Sequence, residues 1–252
     1  MIEVRRDRDI HHERGPWFDA RWHFSFDDYR DPTQMGIGPL RVFNDDRLIA
    51  GAAWPMHAHR DVEGGTFVVE GTFEHADSLG NGGTLFPGAV QRMTLGSGAQ
   101  HSERNASMTE SMRFLQFWIL PDTAGLPPEN VQRQLTKQDR TNQLLQVLGG
   151  ERSGSGEGVL PVHQDASVYV AALDEGTVIN HELTAGRAGY LYLIDGAARL
   201  AGRDAVEALK TGDAAKLLGP EAIAVTAMAP SELILIEVAS VYVPIGVWAR
   251  SD

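Results

Sequence analysis

Apolar runs in this chain are short and stop at turn residues, which rules out most folds at once. Thr66-Phe67-Val68-Val69 ends at Glu70-Gly71, Thr84-Leu85-Phe86 ends at Pro87-Gly88, and the apolar run 113–120 closes at Pro121. Residues 20–26 alternate, with Trp22, Phe24 and Phe26 on one side and Arg21, His23 and Ser25 on the other, the period of a half-buried strand. Beyond residue 160 the pattern returns at 168–173, 177–183, 190–194, 222–226 and 232–238. Many brief strands separated by glycine-rich turns predict an all-β fold of antiparallel sandwich or barrel type.

The signals also repeat. Glu70-Gly71 has a counterpart in Asp195-Gly196, 125 residues on, and Phe86-Pro87-Gly88 has one in Lys210-Thr211-Gly212, 124 residues on. At 252 residues the chain accommodates two barrels in tandem. The expected division is a first barrel over 1–125, a linker over 126–158 with a possible helix between residues 129 and 148, and a second barrel over 159–252. Ser153-Gly154-Ser155-Gly156-Glu157-Gly158 reads as a flexible solvated loop.

Two pairs of metal-capable side chains lie in the first half, His57/His59 and His101/Glu103, each at i and i+2. Alternate residues of a strand share a face, about 6–7 Å apart. Two strands facing each other would bring all four groups to one ion. Carried forward by 124 or 125 residues, the first pair falls near Glu182 and Thr184 and the second near Val225 and Ala227. One metal per chain is therefore expected, in the first barrel. His163 and His181 read as structural, and His11-His12-Glu13 as part of a solvated loop.

Composition sets the remaining limits. There are no cysteines, so any metal must be held by imidazole and carboxylate. A formal charge of −12 argues against binding a phosphate backbone. No apolar run approaches the roughly 20 residues of a membrane span, and the charged start Met1-Ile2-Glu3-Val4-Arg5-Arg6 has no apolar stretch behind it. A cytoplasmic protein with no membrane or nucleic-acid partner is the expectation.

At these residues the chain resembles the cupin superfamily. Gly51, His57-Ala58-His59, Glu63 and Gly71 match the spaced positions of the first cupin motif. Gly98-Ala99-Gln100-His101 with Asn105 keeps part of the second, with Gly96 in place of its usual proline. Within cupins the chain is similar to the pirins, a bicupin family that includes bacterial quercetinases. The resembling segments are His23-Phe24-Ser25-Phe26, Leu40-Arg41-Val42-Phe43-Asn44-Asp45-Asp46, His57-Ala58-His59-Arg60, His75-Ala76-Asp77-Ser78, Gln91-Arg92-Met93 and residues 96–103.

Many cupins take their carboxylate ligand from the first motif, here Glu63, whereas pirins take it two residues after the second-motif His, here Glu103. Strand parity favours Glu103, because a turn can intervene between His59 and Glu63. The ligand set read from the sequence is thus His57, His59, His101 and Glu103. Where pirins carry bulky residues after the motif Glu, Gly64-Gly65 leaves room beside the metal or weakens the site.

The resemblance implies one divalent transition metal, iron(II) first and nickel, manganese, copper, cobalt or zinc as alternatives, with O2 as co-substrate. It further implies a small aromatic, flavonol-like substrate bound through its 3-hydroxyl and ring-opened with loss of carbon monoxide, Glu103 being the candidate base. A metal-loaded regulatory partner of another protein, and a structural bicupin, are the competing expectations.

Overall fold

The computed structural model describes residues 1–150 and 156–249. Ser153, Gly154 and Ser155 of the expected loop lie outside the described residues, and Glu157-Gly158 forms a turn. In chain order the strands begin β1 (Ile2–Arg5), β2 (His11–Arg14), β3 (Phe18–Trp22), β4 (Leu40–Leu48), β5 (Ala53–His59) and β6 (Glu63–Glu70). They continue as β7 (Phe73–Asp77), β8 (Gly82–Leu85), β9 (Val90–Thr94), β10 (Ala99–Asn105), β11 (Met112–Ile119) and β12 (Glu129–Arg133). Next come β13 (Leu145–Gly149), β14 (Leu160–Pro161), β15 (Ala166–Leu173), β16 (Val178–Leu183) and β17 (Arg187–Asp195). The last are β18 (Ala197–Ala201), β19 (Val206–Lys210), β20 (Ala214–Leu218), β21 (Glu221–Ala227) and β22 (Ser231–Ala239). Among the described residues the helical elements are three single 3₁₀ turns, at Asp7–Asp9, Gln138–Arg140 and Gly246–Trp248. No helix is long and apolar enough to cross a membrane.

The strands form two compact units, each a pair of facing sheets. The N-terminal barrel contains His11–Leu135, Val162–Gln164 and the C-terminal residues from Val243. Its sheets run β12-β9-β6-β11-β4-β3-β2 and β5-β10-β7-β8. The C-terminal barrel contains Met1–Ile10, Thr136–Pro161 and Asp165–Tyr242, with sheets β1-β20-β17-β22-β15-β13-β14 and β16-β21-β18-β19. Neither unit is contiguous in sequence. The ranges 1–125 and 159–252 leave Met1–Ile10 out of the barrel that they complete.

The orders superpose strand for strand: β4 to β11 correspond to β15 to β22. The repeat extends to single residues. Gly71 and Gly196 both sit at positive φ, +80° and +100°. A Cβ would lie 2.6 Å from the Ser111 carbonyl at the first and 2.4 Å from the Pro230 carbonyl at the second, so the repeated glycine is required by backbone passing close behind it.

β11 shows why the apolar run 113–120 is continuous rather than alternating. It lies between β4 and β6 and is buried on both faces. Met112 and Phe114 face Leu48, Val68, Phe73 and Leu85 in the barrel core. Truncating Phe114 to alanine would cost about 3–5 kcal/mol by the usual scale for buried aromatics.

Two local expectations are corrected. Residues 129–148, open to helix on sequence, form β12, one 3₁₀ turn and β13, because β12 pairs with the edge strand β9, with Glu129 and Gln132 exposed and Asn130 reaching His75. His11-His12-Glu13 is a strand rather than a loop. β2 pairs with β3 at the edge of the large sheet, where charged side chains are the usual occupants.

Candidate metal centre

β5 and β10 are neighbours in the small sheet, and their register puts His57 directly opposite His101 and His59 opposite Ala99. Residues i and i+2 on β5 share a face, so three imidazoles meet. Their ring centroids lie 4.7 Å (His57–His59), 4.5 Å (His57–His101) and 5.2 Å (His59–His101) apart. One nitrogen from each comes within 4.8 Å of the others, and this is the one such cluster of three or more metal-capable groups among the described residues.

Hydrogen bonding fixes which nitrogens are free. His57 Nδ1 lies 2.8 Å from the Pro55 carbonyl, which only accepts, so Nδ1 carries the proton and Nε2 keeps its lone pair. His101 Nδ1 lies 3.3 Å from Glu103 Oε1, and its buried Nε2 has no partner.

The β10 register slips by one residue between His101 and Glu103, a bulge that sets Glu103 opposite Trp54. Glu103 is 1% exposed. Its Oε1 accepts a hydrogen bond from Gln116 Nε2 at 2.8 Å, while Oε2 has no partner. The geometry thus anchors one carboxylate oxygen and leaves the other unsatisfied.

Glu63, the competing carboxylate, is engaged elsewhere. It lies on the face of β6 opposite Val68, a core residue. Its carboxylate accepts from the Thr94 hydroxyl at 3.1 Å and lies 2.9 Å from His163 Nδ1 and 3.7 Å from Arg92 Nε.

Electrostatics agree with a site built for a cation. Burial, then the neighbouring His57, lowers His59 to about 4. Burial, then the surrounding imidazoles His57, His59 and His75, lowers His101 to about 2. Both are therefore neutral bases at physiological pH, the state a metal requires. Burial pushes the Glu103 carboxyl up to about 8, against the opposing hydrogen bond from Gln116. The orphaned His101 Nε2 and Glu103 Oε2, beside the clustered imidazoles, fit a divalent transition metal.

His75 and Asp77 flank the site without joining the cluster. His75 Nε2 lies 3.1 Å from Met93 Sδ, and Asn130 Nδ2 lies 3.3 Å from its Nδ1. The Asp77 carboxylate accepts from the amides of Leu79 and Asn81 and so builds the turn. The glycine pair does not open the pocket as a unit. At Gly65 a Cβ would lie 2.1 Å from a Phe117 ring carbon, so that space is filled, while at Gly64 it would meet Leu95 Cδ1 at an ordinary 3.7 Å. Gly96 is needed because a Cβ there would lie 2.3 Å from the Leu126 carbonyl. An open concavity of about 630 Å³ reaches His59, lined by Arg60, Ser78, Ser97 and Gln100 among others. Gln116, which holds Glu103, was not picked out from the sequence. Its signal was a lone polar residue inside an apolar strand.

The C-terminal barrel lacks the set, in a register one or two residues from that of the simple offset. Ile223 lies opposite His181 as His101 lies opposite His57, and Val225 opposite Leu200 as Glu103 lies opposite His75. The equivalents of His57, His59, His101 and Glu103 are thus His181, Leu183, Ile223 and Val225. The turn before β21 is shorter than the one before β10, which accounts for the shift. The one imidazole kept is 2.6 Å from the Glu237 carboxylate.

Two cupin barrels in one chain, with three imidazoles gathered in the first, define a bicupin of the metal-binding kind. Residues 3–119 match the Pirin family model, and residues 152–238 match the quercetinase C-terminal cupin domain. The chain belongs to the pirin family. It is 37% identical over 240 residues to quercetin 2,3-dioxygenase of Escherichia coli (strain K12), covering 94% of this chain and 98% of that protein. A pirin-like protein of Caulobacter vibrioides is 35% identical over 223 residues, covering 88% and 93%. The crystal structure of bacterial pirin YhhW from Escherichia coli in complex with nickel(II) aligns with a TM-score of 0.86 at 33% identity, covering 97% of this chain and all of that one.

Proposed function

We propose that this protein is a metal-dependent dioxygenase that opens the ring of a flavonol-like aromatic, with His57, His59, His101 and Glu103 holding one divalent ion. The observation that carries the proposal is the convergence of three imidazoles, with a buried carboxylate beside His101 that keeps one oxygen unsatisfied. Full-length similarity to the E. coli quercetin 2,3-dioxygenase supports the reaction class and a small aromatic substrate. Iron(II) suits the ligand set, and nickel(II) is what the E. coli pirin crystal holds.

Such an ion would supply Lewis acidity toward a substrate hydroxyl and a redox partner for O2. The remaining work falls to side chains. Glu103 is the candidate base for the proton that the hydroxyl gives up. Gln116 fixes the other oxygen, so the carboxylate does not rotate away.

The test loads the protein separately with iron(II) and nickel(II) and follows quercetin absorbance in air and under argon. Loss of absorbance with release of carbon monoxide in air alone is the expected result. Equal traces in the two atmospheres for both metals overturn the proposal.

A further inference from the structure

Two of the three imidazoles are oriented by polar groups, His57 by the Pro55 carbonyl and His101 by Glu103. Ligand histidines ordinarily have their second nitrogen held in this way. Among the described residues the His59 ring has ring contacts alone: with His57, with His101 and, at 4.5 Å and 66°, with Trp118. The face of His59 away from the cluster therefore rests on an indole instead of an acceptor.

Trp118 is itself braced by edge contacts with Phe26 at 5.5 Å and Trp248 at 6.4 Å. Trp248 lies far along the chain from Trp118; the Arg41 guanidinium sits over its ring, 5.8 Å from the centroid, and Asp61 supplies its hydrogen bonds. The Trp248 Nε1–H donates to the Asp61 carbonyl at 3.0 Å, and the Val247 N–H donates to Asp61 Oδ2 at 3.2 Å. Asp61 Oδ1 accepts from the Gly125 N–H at 2.9 Å. Asp61 is buried and sits in the left-handed region at φ 52°, two residues after His59. Gly246 completes the seat, since a Cβ there would lie 2.1 Å from Asp61 Oδ2. The Asp61 carboxylate thus spends both oxygens on backbone amides 64 and 186 residues away.

We propose that the Gly246–Trp248 turn, clamped on Asp61, is a positioning element of the metal centre: Trp248 braces Trp118, and Trp118 sets the orientation of His59. The proposal rests on His57, His59 and His101 being metal ligands. Losing a group that orients a ligand ordinarily costs roughly 10–100-fold in metal affinity. Here that role is carried by edge-to-face ring contacts.

The experiment titrates cobalt(II) into the metal-free full chain and follows its visible absorption. Trp248→Ala is expected to weaken binding roughly 10-fold, and Trp248→Phe to restore most of the loss. Gly246→Ala, which lifts the turn off Asp61 at an exposed position, should weaken binding as Trp248→Ala does, and guards against a general folding defect. The deciding readout is a double-mutant cycle. In a His59→Ala background, Trp248→Ala should have no further effect, whereas in a His57→Ala background its effect should persist. An unchanged affinity in Trp248→Ala, or an equal loss in both backgrounds, overturns the proposal. Failure of the wild-type protein to take up cobalt(II) instead sinks the ligand reading, and the positioning role with it.

Discussion

His57 and His101 face each other across the β5–β10 pair with ring centroids 4.5 Å apart. Strand register alone accounts for this closeness, since directly paired residues of antiparallel strands have neighbouring side chains. Replacing either by alanine should reduce metal affinity by more than the roughly 10–100-fold expected from losing a group that merely orients a ligand. Elemental analysis of His57→Ala and His101→Ala protein after dialysis against iron(II) or nickel(II) checks it.

Glu103 should make the metal-free protein less stable in alkali. Burial pushes its folded carboxyl up to about 8 from an ordinary 4.5, so between these the folded state binds more protons than the unfolded. Stability therefore falls as pH rises through that window. Glu103→Gln, which mimics the protonated acid, should be more stable than wild type at pH 9 by a few kcal/mol at most, with little difference at pH 5. Urea unfolding at the two pH values measures the difference.

The imidazoles act at the other end of the scale. Burial lowers His59 to about 4 and His101 to about 2 from an ordinary 6.5, so below about pH 6.5 the unfolded state binds more protons. Metal-free protein should lose stability on acidification from pH 6.5, with His59 contributing down to about pH 4 and His101 further. His101→Phe should flatten this acid limb. Thermal midpoints across pH 4 to 7 would reveal it.

Metal uptake at pH 7 should release about one proton per ion. His59 and His101 are already neutral there, and Glu103, if it joins the ion as carboxylate, must first lose its own. Calorimetry in buffers of different ionisation enthalpy counts the protons. Glu103→Gln should reduce the count toward zero.

Glu63→Gln is expected to leave metal content unchanged while costing stability. It weakens a buried carboxylate shared by Thr94, His163 and Arg92, a loss of about 1–3 kcal/mol. A fall in bound metal without loss of stability would reverse the assignment of the two glutamates.

Much of the fold was legible because the signals were local. Strand alternation, turn glycines and the offset of 125 residues depend only on neighbours in sequence, and the two candidate pairs stand out by their i, i+2 spacing, of which the structure gathers His57, His59 and His101. What could not be read depended on pairing. The helix considered over 129–148 disappears because β9 offers β12 an open edge. The strand expected over 20–26 ends at Trp22, because Ser25 turns the chain by binding the Asp31 backbone through its hydroxyl. Gln116, Asp61 and Trp248 are individually unremarkable residues, and their importance comes from partners 13, 64 and 187 positions away.

Each barrel borrows a piece from the opposite terminus. Residues 2–5 hydrogen-bond along β20 and close a sheet otherwise made from the second half of the chain, while Trp248 docks on Asp61 in the first. A ribosome thus delivers Ile2–Arg5 long before their acceptor β20 is synthesised, and leaves the first barrel without Trp248 until the second barrel has been made. No single cut between the halves would release two intact domains. A recombinant fragment starting at residue 159 would expose the bare edge of β20 as a template for aggregation.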